Sequence, residues 1–172
     1  MLIDRGAIAR RVAELGAEIG ATSGPDPLLV VGILKGAFVF TADLVRAIPV
    51  PVEVDFMAVS SYGAATRSSG VVRIVKDLDE SLAGRDVLVV EDIVDTGLTL
   101  QYLQRSLRQR GPRRLRTAVL LDKPSRRVVE AAVDFVGFSI PDRYVVGYGL
   151  DADQQHRQHP DILCADDPET EG

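Results

Sequence analysis

Four apolar residues in a row, Val87-Leu88-Val89-Val90, run directly into two carboxylates, Glu91-Asp92, and then into a glycine-containing turn. A strand that is apolar on both faces must lie inside a sheet covered on both sides, the usual setting of parallel strands joined by helical crossovers. Charge is expensive within such a strand, so Glu91 and Asp92 mark its carboxyl end. Helical spacing from Leu98 to Arg110 completes a strand, a turn and a helix.

Other parts of the chain repeat this unit. Leu28 to Ile33 is a second run of the same kind, followed by the turn Leu34-Lys35-Gly36 and by helical spacing from Ala37 to Ile48 that Pro49 and Pro51 stop. Leu115 to Leu121 is a third. Upstream, Ile8, Val12, Leu15 and Ile19 predict an amphipathic lead-in helix from Asp4 to Gly20, weakened or ended by Gly16 and Gly20. Val52 to Ser60 alternates, with Val52, Val54, Phe56 and Ala58 opposed to Glu53, Asp55 and Met57, as expected of a strand beside a less covered edge. Val71 to Val75 predicts the returning strand of a hairpin, and Ala64 to Gly70 between them is small and polar, which suits a mobile lid over about 60–71. After Pro124-Ser125-Arg126-Arg127 a further helix is expected, then short strands at Phe135–Ile140 and Tyr144–Tyr148. The order, largely β-α-β-β-β-α-β-α-β, predicts an α/β fold. Its central sheet is open, mostly parallel and flanked by helices on both faces, with ligands at the carboxyl ends of the strands. A chain of 172 residues suits one domain, here 1–165, with an acidic tail over 166–172 expected to be disordered.

Composition limits the partners. A net charge of −5 opposes generic attraction to nucleic acid or an anionic membrane, so a phosphate-bearing ligand needs a local positive site. The single cysteine, Cys164, can form neither an intrachain disulfide nor a thiolate cluster, which fits a reducing compartment. Met1-Leu2-Ile3-Asp4-Arg5-Gly6 lacks an apolar signal core, and no apolar run approaches the ~18 residues of a membrane span. A cytoplasmic location is expected.

Between Glu91 and Thr99 stand three carboxylates, two hydroxyls and one glycine. Backbone amides at a helix N-terminus point outward at the positive end of the dipole, so Asp95, Thr96, Gly97, Leu98 and Thr99 can hold a phosphate monoester. Adjacent carboxylates accept hydrogen bonds from vicinal hydroxyls, so Glu91 and Asp92 suit a polyol. A ribose 5-phosphate satisfies both halves. Any one of these residues could be a solvated strand end or a helix cap, but capping uses one residue and leaves the other carboxylates in mutual repulsion. Dinucleotide-type and Walker-type glycine loops are both missing from the sequence.

Val89 to Thr99 resembles the phosphoribosyl pyrophosphate signature of type I phosphoribosyltransferases. Ser60-Ser61-Tyr62-Gly63, Leu121 to Arg127 and Phe135 to Asp151 resemble the bacterial hypoxanthine-guanine branch, and the likeness runs to about Ile162. The resemblance implies the type I fold with a small hood subdomain, Mg2+ as cofactor, and phosphoribosyl pyrophosphate and 6-oxopurine bases as partners in a homodimer or homotetramer. It gives Glu91 and Asp92 to the ribose hydroxyls and the metal, with Asp151 also at the metal. Asp95 becomes the general base or acid near purine N7. Leu34, Lys35 and Gly36, commonly with a cis peptide before the lysine, go to pyrophosphate along with Arg157. Lys123 is carried over to the 6-oxo group, Tyr144 to stacking on the base, Val145 to its 2-position edge, and Ser61, Tyr62 and Gly63 to the lid.

The chain departs from the family pattern after Leu150-Asp151, where Ala152-Asp153-Gln154-Gln155-His156 replaces a tyrosine followed by aromatic or aliphatic residues. Packing around the metal is therefore open. His156 and His159 lack a third ligand and are expected to be solvated surface residues. Arginines at 105, 108, 110, 113, 114 and 116 are expected on a solvated helix face and loop, although they give some support to a rival reading, an RNA-binding regulator on the same scaffold. A further alternative keeps the transfer and changes the base to xanthine, uracil or orotate.

Overall fold

A computed structural model describes residues 1–61 and 72–165 of the chain. Its elements are α1 (Arg5–Ala21), β1 (Leu28–Leu34), α2 (Phe38–Ala47), β2 (Val52–Ser61), β3 (Val72–Lys76), β4 (Asp86–Val94), α3 (Leu98–Arg108), β5 (Arg114–Asp122), β6 (Phe135–Ser139), β7 (Val145–Val146) and β8 (Leu163–Cys164). Six strands form one sheet in the order β3-β2-β1-β4-β5-β6, parallel except where β3 returns along β2. The chain works outward from β1 to β3, then restarts at β4 beside β1 and works outward the other way. That reversal opens a crevice at the carboxyl ends of β1 and β4, the place where open α/β sheets bind ligands. β7 and β8 pair as a small antiparallel sheet, the expected hood, and Ile3 is bridged to Ile162 beside it.

The two faces of the sheet follow from the period of two along each strand. Leu28, Val30, Leu88, Val90, Ala118 and Leu120 face α1 and α2, which contribute Ile8, Val12, Leu15, Ile19, Phe40 and Leu44. Leu29, Val31, Ile33, Val87 and Val89 face the other way, toward Leu103 and Leu107 of α3 and toward Leu82. Each fully buried Leu or Val contributes about 1.5–3 kcal/mol, so both layers are firmly held. Asp4 caps α1, its Oδ1 accepting from the Ala7 amide at 2.9 Å. The helix runs through Gly16, which is buried, and ends at Ala21.

Two expectations are corrected. The alternation in β2 is real but inverted: Met57 and Asp55 are buried, whereas Val54 is 46% exposed. Met57 joins the cluster under α3. Asp55 can be buried because the amides of Phe56 (2.7 Å), Asp79 (2.8 Å) and Glu80 (3.4 Å) donate to it and Lys76 Nζ lies 3.5 Å away. No helix forms between β5 and β6 beyond one 3-10 turn at Pro124–Arg126. The backbone there has other partners: the Val128 and Val129 amides donate to Thr96 O, and the Glu130 and Ala132 carbonyls accept from Gln101 and Gln104. The order after α1 is thus β-α-β-β-β-α-β-β-β-β.

Ser61 closes β2, but Tyr62, Gly63, the rest of the expected lid and the tail at 166–172 lie outside the described residues. Among the described residues no helix is long and apolar enough to cross a membrane.

Burial pushes the Asp55 carboxyl up, but its three amide donors and Lys76 outweigh that and leave it below the usual carboxylate range. A carboxyl depressed on folding stabilises the fold above its unfolded value and loses that contribution as pH falls through the folded one. Asp55→Ala should therefore cost roughly 2–3 kcal/mol at pH 7, with the deficit shrinking below about pH 4, measured by urea denaturation across pH.

Candidate active site

A cleft of about 610 Å3 occupies the crevice between β1 and β4. The turn after β1 forms one wall through Leu34, Lys35 and Gly36. The floor is Glu91 and Asp92, and Asp95, Thr96, Gly97 and Thr99 follow at the start of α3. Asp151, Gln154 and Arg157 close the far side. Sequence positions about 120 residues apart thus meet in one cavity. Leu98 is half-buried at the head of α3 and does not line it.

Each wall has a local cause. The Leu34–Lys35 peptide is cis, in line with the expectation for that turn. Gly36 packs so closely on Asp92 that a β-carbon there would overlap the carboxylate, so only glycine lets the turn approach the floor. Gly97 adopts φ 86°, a left-handed conformation that glycine takes without penalty, and has no side chain to cap α3. The helix amides beyond it open onto the cleft. Thr96 Oγ1 accepts from the Leu98 amide at 3.4 Å, while Thr96 O receives Val128 and Val129 from the β5–β6 strap. Asp95 is oriented by Arg126, whose Nε donates to Oδ1 at 3.0 Å.

The acid pair dominates the electrostatics. Burial and then the neighbouring Asp92 charge push the Glu91 carboxyl well above the usual range; Asp92 is raised as well, chiefly by burial, with Arg157 pulling it back. Two carboxylates at the bottom of a cleft cannot both ionise cheaply, so each makes the other harder to ionise. A cation or a set of hydroxyl donors would relieve it. The far wall answers with charge of the opposite sign: Arg157 pairs with Asp151 at 2.7 Å and donates to Gly149 O at 2.7 Å. The glycine-rich turn ahead of Asp151 is fastened to α2 by Tyr148, whose hydroxyl donates to Asp43 at 2.6 Å.

Lys123, Tyr144 and Val145 stand beside the cleft at its hood end and are not part of its lining. Lys123 is buried, not a solvated loop lysine, with Nζ 3.5 Å from Asp142 and its amide donating to Val94 O. Tyr144 is 52% exposed, so it is no core residue, and its hydroxyl donates to Asp151 O at 3.3 Å. Val145 is buried in β7. Sequence reasoning passed over Gln154, Arg126 and Asp142. None carries a motif of its own, and Arg126 was only one letter in a loop.

His156 and His159 stack with ring centroids 5.5 Å apart and are half-buried, not fully solvated as expected. Among the described residues no three His, Cys, Asp or Glu side chains converge as a metal cage. The arginines meet the expectation in part, Arg113 being exposed and Arg116 buried. Arg116 is buried and donates to Thr22 and Ser23; Arg114 pairs with Asp86, Arg110 with Asp77 and Arg113 with Asp26. Arg105 and Arg108 do lie on the exposed face of α3. With four of the six tied to protein partners, the case for an RNA surface loses most of its support.

The doubly covered sheet, its switch-point cleft and the acidic turn ahead of α3 agree with comparison to known proteins: the model of the phosphoribosyl transferase domain matches residues 1–153. The chain belongs to the phosphoribosyl transferase family. Its relatives narrow the branch. A Mycobacterium bovis hypoxanthine-guanine phosphoribosyltransferase is 55% identical over 157 residues, covering 87% of this chain and 77% of that protein. The Aquifex aeolicus enzyme of that name is 49% identical over 168 residues, covering 97% and 94%. The crystal structure of a Staphylococcus aureus hypoxanthine phosphoribosyltransferase superposes with a TM-score of 0.93 at 40% identity, covering 100% of this chain and 94% of that one. These relatives set the chain in the hypoxanthine-guanine branch of the family, among enzymes of purine salvage.

Glu91 generates a stability prediction. Because folding raises its carboxyl, the wild type loses stability as pH climbs from the ordinary carboxylate range through the raised value. Glu91→Gln cannot ionise and escapes that loss. In metal-free buffer the variant should melt higher than wild type at pH 8 and by a smaller margin at pH 5; each ~1 kcal/mol gained corresponds to roughly 2–4 °C.

Proposed function

We propose that this protein transfers the 5-phosphoribosyl group of phosphoribosyl pyrophosphate to N9 of hypoxanthine or guanine, giving the nucleoside monophosphate and pyrophosphate. The observation that carries the reading is a single cleft in which an uncapped helix start, a buried acid pair and the cations Lys35 and Arg157 face one another. Those are the complements of a 5-phosphate, a pair of ribose hydroxyls and a diphosphate.

On this reading the amides from Asp95 to Thr99 hold the phosphate, with the Thr96 and Thr99 hydroxyls assisting. Glu91 and Asp92 accept from the 2- and 3-hydroxyls. The bond from C1 to pyrophosphate breaks ahead of bond formation to N9, so positive charge develops on the sugar next to buried carboxylates, where it is stabilised most strongly. Asp95 takes the proton that the imidazole side of the base must lose, and Arg126 keeps its carboxylate aimed. The amides of the Lys35-Gly36 turn, with Arg157, receive the departing diphosphate. Lys123 donates to the 6-oxo group; an adenine amino group would meet donor with donor in a dry pocket and be rejected. Tyr144 stacks on the base, and Val145 presents backbone to its 2-position edge.

The donor set fits magnesium. Asp151, Glu91 and Asp92 are hard oxygen donors lining the cleft, the type that magnesium takes alongside waters and the oxygens of a diphosphate. Bound there, the metal would neutralise the leaving group's charge. We further place the protein in the cytoplasm as a homodimer or homotetramer, with 1–165 as one domain.

The test supplies purified protein, magnesium and phosphoribosyl pyrophosphate with each nucleobase separately. Hypoxanthine and guanine should yield nucleotide, with adenine slower by roughly 10⁴-fold; nucleotide from orotate or uracil instead would overturn the base assignment. Asp95→Asn should lower kcat by about 10²–10⁴-fold and leave phosphoribosyl pyrophosphate binding within a few-fold of wild type. Near-normal turnover in that variant would remove Asp95 from the chemistry.

A further inference from the structure

Gln154 lines the cleft without a part in the chemistry set out above. Its Oε1 accepts from Lys35 Nζ at 3.0 Å and from Arg157 Nη2 at 3.3 Å, so one neutral oxygen bridges both cations of the pyrophosphate wall. The side chain is held out deliberately by its backbone. The Gln154 amide donates to Asp151 Oδ2 at 2.8 Å, and Gln154 itself has φ 68°, in a turn where Asp153 (49°) and His156 (74°) are left-handed too. Three non-glycine residues in that region within four positions mark a turn whose shape is set by its contacts, since isolated chains rarely adopt it.

The geometry points to Gln154 as an internal stand-in for a diphosphate oxygen. This inference rests on the pyrophosphate reading of the wall and adds a residue to it. Lys35 and Arg157 converge on that one oxygen, and Arg157 Nη2 also pairs with Asp151 at 2.7 Å. A carboxamide oxygen, being neutral, adds no second counter-charge beside Asp151, so the wall keeps the positive charge of Lys35 to attract an incoming anion. A diphosphate must then displace Oε1, so the two charge-assisted hydrogen bonds it breaks are subtracted from its affinity. The residue loosens the grip on the leaving group and lets product depart, whereas a carboxylate at the same place would compete with the ligand by forming ion pairs.

Isothermal titration of inorganic pyrophosphate with magnesium into wild type, Gln154→Ala and Gln154→Glu separates this from a merely structural role. Gln154 is exposed, so both variants retain the core. Gln154→Ala should bind pyrophosphate roughly 3–10-fold more tightly, and Gln154→Glu about tenfold more weakly or worse. A purely structural side chain would weaken binding in both variants, so an unchanged or higher Kd for Gln154→Ala, with wild type binding normally, overturns the inference alone. Absence of pyrophosphate binding by wild type overturns the reading of the wall itself, and the inference with it.

Discussion

The structure turns on two carboxyl groups that the fold holds where carboxyl groups are costly. Glu91 and Asp92 lie near the carboxyl end of β4, a central buried strand that β1 flanks over Val87–Val90 and β5 flanks from Asp86 to Val94. Burial there raises the affinity of both for protons. A site built this way is incomplete without a ligand: hydroxyl donors and positive charge are what the pair lacks. On the proposed reading both arrive with a ribose that becomes cationic as its bond to the leaving group breaks. The same burial that weakens the empty fold therefore strengthens the interaction made only as charge develops, which is the condition for catalysis as opposed to mere binding.

The surrounding elements keep that pair and its neighbours in register. Gly36 brings the turn after β1 onto Asp92. The β5–β6 strap gives up its own helix so that its amides can hold Thr96 and its arginines can reach Asp95 and Asp122. Tyr148 ties the hood to α2. Loop residues meant to act on a substrate are thus fixed by hydrogen bonds to rigid strands and helices, the arrangement that keeps a site within a fraction of an ångström of working geometry.

How much of this was legible in the sequence depended on whether a residue's signal was local. β1, β4 and β5 could be read directly, because continuous apolar runs of that length have few homes other than the middle of a covered sheet. The acid pair and phosphate turn were legible for the same reason: charge crowded at the end of such a run stands out. β2 was found but turned over, since a period of two does not say which face is inside when each carries both apolar and polar residues, and the distant amides of Asp79 and Glu80, with the adjacent one of Phe56, decided the matter for Asp55. The strap was misread as a helix because Val, Glu and Ala are permissive, and only tertiary acceptors and donors drew its backbone away. Arg116 looked like part of a basic patch, yet Asp86 and the hydroxyls of Thr22 and Ser23 take it inward. Gln154 was invisible, because an exposed neutral side chain has no pattern until the fold shows which cations it touches.

A common principle links the acid pair and Gln154. Each holds functional groups ready short of their intended partner: Glu91 and Asp92 lie buried side by side with their affinity for protons raised, and a carboxamide oxygen sits between Lys35 and Arg157. Without that oxygen Lys35 and Arg157 would lose their shared acceptor; with a second carboxylate beside Asp151, the ligand would have to break a further ion pair before binding. An intermediate partner keeps the geometry while leaving most of the electrostatic free energy for the substrate. That balance explains why the departure from the family pattern at Ala152 to Gln155 does not open the far wall: Asp151 remains anchored by Arg157 and by the Gln154 amide, so the turn holds its shape through hydrogen bonds where aromatic packing is missing.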